Sequence, residues 1–188
     1  AKGCVFAAMN FPEDDGCSEL HEALGDRFFN FVVVPDFASL EVEDRRRIIE
    51  SRTVTITRNE ELIALLENAT KQLKGMSANR RGELAGWVDV FCDSLHSRGV
   101  QVSGRRASVL HRFACASLIL EELSQKQSLD HHALRTVLLD VANTGLPHRA
   151  TGKELSSVTV RYSAEVACAA LNGKRYVVAA TRDLDDAG

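Results

Sequence analysis

The chain has 188 residues, 45% of them hydrophobic and 26% charged, an ordinary globular balance long enough to bury ~70% of its unfolded surface in one or two small domains. Its formal net charge of -3 excludes a whole-molecule field that would draw it to nucleic acid or an anionic membrane. Five cysteines, Cys4, Cys17, Cys92, Cys115 and Cys168, odd in number, widely spaced and without a C-x-x-C pair, fit a reducing cytoplasm better than a disulfide framework or a zinc site.

No apolar run approaches the ~18 residues of a membrane span, and no charged start with an apolar region reads as a signal peptide. The start at Ala1-Lys2-Gly3, which runs almost directly into a strand pattern, reads as a segment of a longer polypeptide. The stretches CVFAAMN (4–10) and FNFVVVPDF (29–37) are short, apolar and partly β-branched, as interior strands of a sheet covered on both faces are. Pro35 ends the second, because it has no N–H to give a ladder. SLEVEDRRRIIES follows as a helix, with Ser39 as a cap, Glu41, Glu43 and Asp44 near the positive end of its dipole, and Arg45 to Arg47 toward the other end.

TRNEELIALLENATKQLKG predicts a second helix, with Thr57 and Glu60 spaced as a capping box, a stripe of Leu62, Leu65, Leu66, Ala69 and Leu73, and Gly75 as its stop. RGELAGWVDVFCDSLHSRG places Leu84, Val88, Phe91, Cys92 and Leu95 on one face and stops at Gly99. SGRRASVLHRFACASLILEELS is apolar nearly all round, which predicts a central helix. SLDHHALRTVLLDVANTG adds another, with Leu134, Val137, Leu138 and Val141 apolar and Gly145 as its stop. Residues ~57 to ~146 therefore read as a four-helix unit with short connections.

Past Gly152, SSVTVRY alternates like a strand, SAEVACAALNG reads as a short helix, and KRYVVAATR reads as another strand. The expected fold is thus mixed. Residues 1–52 supply the last strands of an α/β core, residues 53–150 form an all-α unit, and residues 151–188 form a small α/β extension.

Three polar features stand in unusual places. Asn10 follows an expected buried strand, where ligands of open α/β sheets sit and where a side-chain amide can orient a water. Arg27 precedes the second strand, where a guanidinium on rigid scaffold can reach a phosphate with two donors. Arg105 and Arg106 follow Ser103 at the start of the central helix, where a helix N-terminus and an arginine can face one anion. Each also has a plain reading: Asn10 as a turn residue, Arg27 as a partner of Glu22 or Asp26, and Arg105 and Arg106 as solvated charge.

The ordered set VFAAMN, LHEALGDRFFNFVVVPDF, EVEDRRRII, VSGRRASVLHRFACASLIL and GLPHR resembles the second half of a MoxR-type AAA+ ATPase module, related also to the magnesium chelatase ATPase subunit. The resemblance covers residues ~3 to ~150. It implies that Asn10 is sensor 1, which polarises the attacking water, and that Arg27 is the arginine finger reaching a neighbouring subunit's γ-phosphate. Sensor 2 falls on Arg106, with Arg105 as the second choice, and His148 and Arg149 match the closing motif after the helical lid. It further implies the end of a P-loop AAA+ sheet followed by that lid. ATP and Mg2+ would sit at the junctions of a homo-oligomeric ring, expected to be a hexamer, and hydrolysis would drive chaperone-like remodelling or maturation of a protein complex, often with a von Willebrand A-domain partner. Phosphoryl transfer asks mainly for positioning and charge neutralisation, and an arginine finger contributes ~10³ to 10⁵ in rate in related NTPases.

The departures limit what this chain does alone. The phosphate-binding loop G-x-x-x-x-G-K-[ST] and the Walker B acidic residues would lie before Ala1. ATGKEL (150–155) is a decoy, because Glu154 stands where Ser or Thr must bind magnesium and Pro147 where the first glycine must be. Asn10 is followed by Phe11-Pro12 where relatives have Asn-Pro. The chain alone is therefore expected to be inactive. The alternative is a non-enzymatic helical adaptor or a degenerate subunit. A DNA-handling relative is disfavoured by the acidic balance. Adjacent His131 and His132 point to different helix faces and do not make a joint metal site.

Overall fold

A computed structural model describes residues 21–25, 27–28, 30–31, 37–50, 59–146, 155–171 and 173. Every regular element among them is helical: α1 (Glu22–Gly25), a 3-10 turn (Phe37–Ser39), α2 (Val42–Glu50), α3 (Glu60–Gly75), α4 (Ala78–His96), α5 (Gly104–Gln125), α6 (His131–Thr144) and α7 (Ser157–Leu171). This overturns the α/β expectation for the described residues, which contain no strand. The expected strands at 4–10 and 174–182 lie outside them. Of the expected strand 29–37, Asn30 and Phe31 are irregular and Phe37 opens the 3-10 turn.

The expected strand within SSVTVRY forms instead the first turns of α7. Its alternation is real but short, and only Val160 of Val158, Val160 and Tyr162 is buried. Val158 is 72% exposed. The burial pattern that governs is Val160, Ser163, Ala164, Ala167 and Cys168, spaced three and four apart as one face of a helix, with Val166 buried at its edge. Ser156 starts the helix, its carbonyl accepting from the Val160 N–H (3.1 Å) and its Oγ from the Val158 N–H (3.2 Å).

The other helices begin and end through local chemistry. Asn59 caps α3, its Oδ1 accepting from the Leu62 N–H at 2.9 Å. The expected cap, Thr57, lies outside the described residues. Ser77 caps α4, Ser103 caps α5 and Asp130 caps α6, each accepting from the N–H three residues on, which satisfies one of the orphan donors of the first turn. Gly99 ends the α4 turn as expected. It has φ +81°, and the Val100 N–H returns to the Leu95 carbonyl at 3.0 Å, the six-to-one bond of a glycine-closed helix.

The helices α3 to α7 pack around one core. α5 lies against α3, α4 and α6, while α7 lies against α4 and α6. Trp87, Phe91 and Leu95 of α4, Leu110, Ala114 and Leu118 of α5, Leu138 and Val141 of α6, and Val160, Ala164 and Ala167 of α7 share that core. Trp87 stacks on Phe91 with centroids 5.3 Å apart and planes inclined by 10°, an offset pairing that adds to area burial. α7 is further held by a buried Ser94–Ser163 hydroxyl pair at 3.1 Å, by Arg98 over the Tyr162 ring at 4.1 Å, and by Arg135 of α6 forking onto Glu165. α5 is central, as its all-round apolar sequence predicts.

Candidate functional site

The N-terminal turn of α5 carries the two arginines singled out in the sequence, and the structure separates them sharply. Ser103 fixes this turn, its Oγ accepting from the Arg106 N–H at 3.0 Å. Arg105 is exposed. Arg106 is 2% exposed because it shares the core-facing stripe with Val109 and Leu110, three and four residues on.

The Arg106 guanidinium gathers backbone carbonyls from two distant parts of the chain. Nη1 donates to the Phe28 oxygen at 2.8 Å and to the Gly145 oxygen at 3.1 Å, and Nη2 donates to the Gly25 oxygen. The Phe31 ring lies beside it, with Cζ 5.4 Å from the ring centroid, within cation–π range. Phe31 donates its backbone N–H to Thr144 at 2.8 Å, and its ring meets Phe28 edge-on at 6.3 Å. Gly145 suits this crossing. A Cβ there would collide with Leu110 Cδ2 and stand 2.6 Å from the Val141 oxygen.

Arg27 rides on the segment held this way. Its N–H donates to Leu24 at 3.0 Å and the Phe28 N–H to Gly25 at 3.1 Å, so a compact turn presents the Arg27 side chain, which is exposed. The structure therefore brings Arg27, Arg105 and Arg106 to one end of the bundle, with two of the three side chains exposed. Asn10, His148 and Arg149 lie outside the described residues. His131 and His132 stand exposed at the start of α6.

The remaining polar chemistry is structural. Among the described residues no group of three or more His, Cys, Asp or Glu could hold a metal ion. Burial pushes up the thiols of Cys92, Cys115 and Cys168, the reverse of what a nucleophile needs. Cys115 lies 3.7 Å from His111 Nε2, but that nitrogen is also 3.0 Å from the Arg81 carbonyl, so it donates there and is not a base for the thiol. A concavity along α2, lined by Glu41, Val42, Glu43, Arg46, Arg47 and Glu50, is built from one helix and its approach and encloses nothing. No helix of the described residues is long and apolar enough to cross a membrane.

The sequence singles out these arginines but not the carbonyls that Arg106 holds. The signal was in the register: an arginine four residues before Leu110 and three before Val109 falls on the buried stripe, while Arg105 falls beside it. Comparison of the chain with protein-family models, curated proteins and solved structures finds no match.

Proposed function

We propose that the chain belongs to a MoxR-like ATPase, in which ATP hydrolysis drives remodelling or maturation of a protein complex and α3 to α6, within residues 53–150, act as the lid. The observation that carries this reading is the mounting of Arg27: an exposed guanidinium on a turn whose carbonyls are tied to the first turn of α5. An arginine that stabilises phosphoryl transfer in a neighbouring subunit must project from its own subunit yet be held on rigid structure. Arg105, exposed at the positive end of α5, is the arginine of its pair that faces an anion in this reading.

ATP and Mg2+ require groups that the 188 residues do not contain, a phosphate-binding loop and Walker B carboxylates. Reading the coding sequence upstream of Ala1 is the first test, and absence of both motifs overturns the ATPase reading. If they are present, Arg27→Ala in the polypeptide that carries them lowers ATPase turnover by ~10³-fold. Mixing with subunits defective only in the phosphate-binding loop restores part of it, as an arginine acting across a ring junction demands. Unchanged turnover removes Arg27 from the mechanism.

A non-enzymatic helical adaptor is the second reading. Leu62 and Leu66, one turn apart on α3 and each 49% exposed, and the neighbouring Ile48 and Ile49 on α2, 55% and 70% exposed, favour it, since grouped exposed large apolar side chains are surfaces a partner covers.

A further inference from the structure

We infer that Arg106 is a latch that caps the C-terminal ends of two helices at once and so positions the turn carrying Arg27. The role of Arg27 rests on the ATPase reading above; the latch itself does not. Gly25 is the last residue of the one-turn α1, its carbonyl also accepting from the Phe28 N–H at 3.1 Å, and Gly145 is the C-terminal cap of α6, where a longer helix leaves carbonyls without intrahelical donors at the negative pole of its dipole. Arg106 brings a permanent positive charge and a planar set of donors to both. Its contact with Phe28 adds the far side of the Arg27 turn, so the backbone on either side of that residue is bonded to one side chain.

Phe31 completes the attachment beside it through its N–H to Thr144, one residue before the Gly145 that Arg106 also holds. The turn is thereby fixed to the α5 start and the α6 end together, and any rotation of the helical bundle carries Arg27 with it. A guanidinium serving three carbonyls at 2% exposure is engaged in positioning, and a lysine lacks the planar fork that spans them. Arg106 is on this account a positioning residue that acts through Arg27.

The test uses the 188-residue chain without nucleotide, so its outcome is separate from that of the ATPase assay. In the isotope-labelled wild type, the Arg106 Nη protons are expected as distinct, slowly exchanging resonances, unlike those of exposed Arg105. A single averaged signal resembling that of Arg105 overturns the latch, and this reading needs no variant to fold. In R106Q and in R106K, the Phe31 amide is expected to exchange about tenfold faster or more, while the Phe91 and Leu110 amides keep their protection. Unchanged Phe31 exchange in both variants overturns the proposal. In the complete ATPase, R106Q added to R27A slows turnover no further than R27A alone. Additive losses would make Arg106 an independent nucleotide contact and overturn its positioning role.

Discussion

A thiol reacts as its thiolate, and Cys92 is held far from that form. Its pKa is pushed up to about 11 from an ordinary 9.0, first by burial and then by Asp89 and Asp93 beside it. The folded state therefore keeps a proton that the unfolded state releases earlier, and the stability this provides is complete below pH 9 and is lost as pH rises toward 11. Urea midpoints are expected to fall between pH 8.5 and pH 11, and Cys92→Ser, which removes the titrating group, flattens that decline. An equal decline in both proteins would show that Cys92 plays no part. At the same scale, Arg105 and Arg106 show the limit of reading side chains one at a time. Both are arginines at a helix start, and helical register alone separates the buried one from the exposed one. The carbonyls that Arg106 holds are 81, 78 and 39 residues away, and nothing local to it announces them.

At the scale of elements, what was legible followed the strength and length of the periodic signal. α3, α4 and α6 each carry a 3.6-residue apolar pattern over two turns or more, α5 is apolar nearly all round, and three of the glycines read as stops, Gly75, Gly99 and Gly145, stand at or just past helix ends. The helix expected over SAEVACAALNG is the second half of α7; only its first turns depart from expectation, because three alternating side chains, Val158, Val160 and Tyr162, imitate a strand for five residues, while the helical stripe emerges only over twice that length. The end of α5 shows a conflict that remains in the folded chain. Lys126 caps α5 with φ 55° and ψ 27°, its N–H bonded to the Glu122 carbonyl. A residue with a Cβ is disfavoured in this left-handed conformation, which glycine adopts freely. Lys126→Gly is expected to stabilise the protein by about 0.5–1 kcal/mol, read as a higher urea midpoint with unchanged slope. A lower midpoint would mean that the lysine side chain contributes more than its backbone costs.

For the whole molecule, the question is where the cooperative unit ends. The sequence placed a boundary near residue 150 because glycine, proline and a change of pattern cluster there, yet α7 lies beyond it and closes the core over Trp87 and Phe91. Removing α7 would uncover the face of α4 that buries those rings and would strip the core of Val160, Ala164, Ala167 and Cys168. At roughly 1 kcal/mol for each small apolar side chain and more for the aromatic surface laid bare, the loss is on the order of 5 kcal/mol or above, comparable to the entire stability of a small domain. A chain ending at residue 152 is therefore expected to lose its cooperative unfolding transition. Trp87 is the only tryptophan and is fully buried, so its fluorescence reports this directly, and emission shifts to the red in the shortened chain even without denaturant. Retention of blue-shifted emission and of a single sharp transition would instead mean that α3 to α6 suffice as a folding unit, with α7 docked on a core already formed. The two outcomes also bear on function, because a bundle that needs α7 to fold carries the Arg106 latch only while α7 is in place.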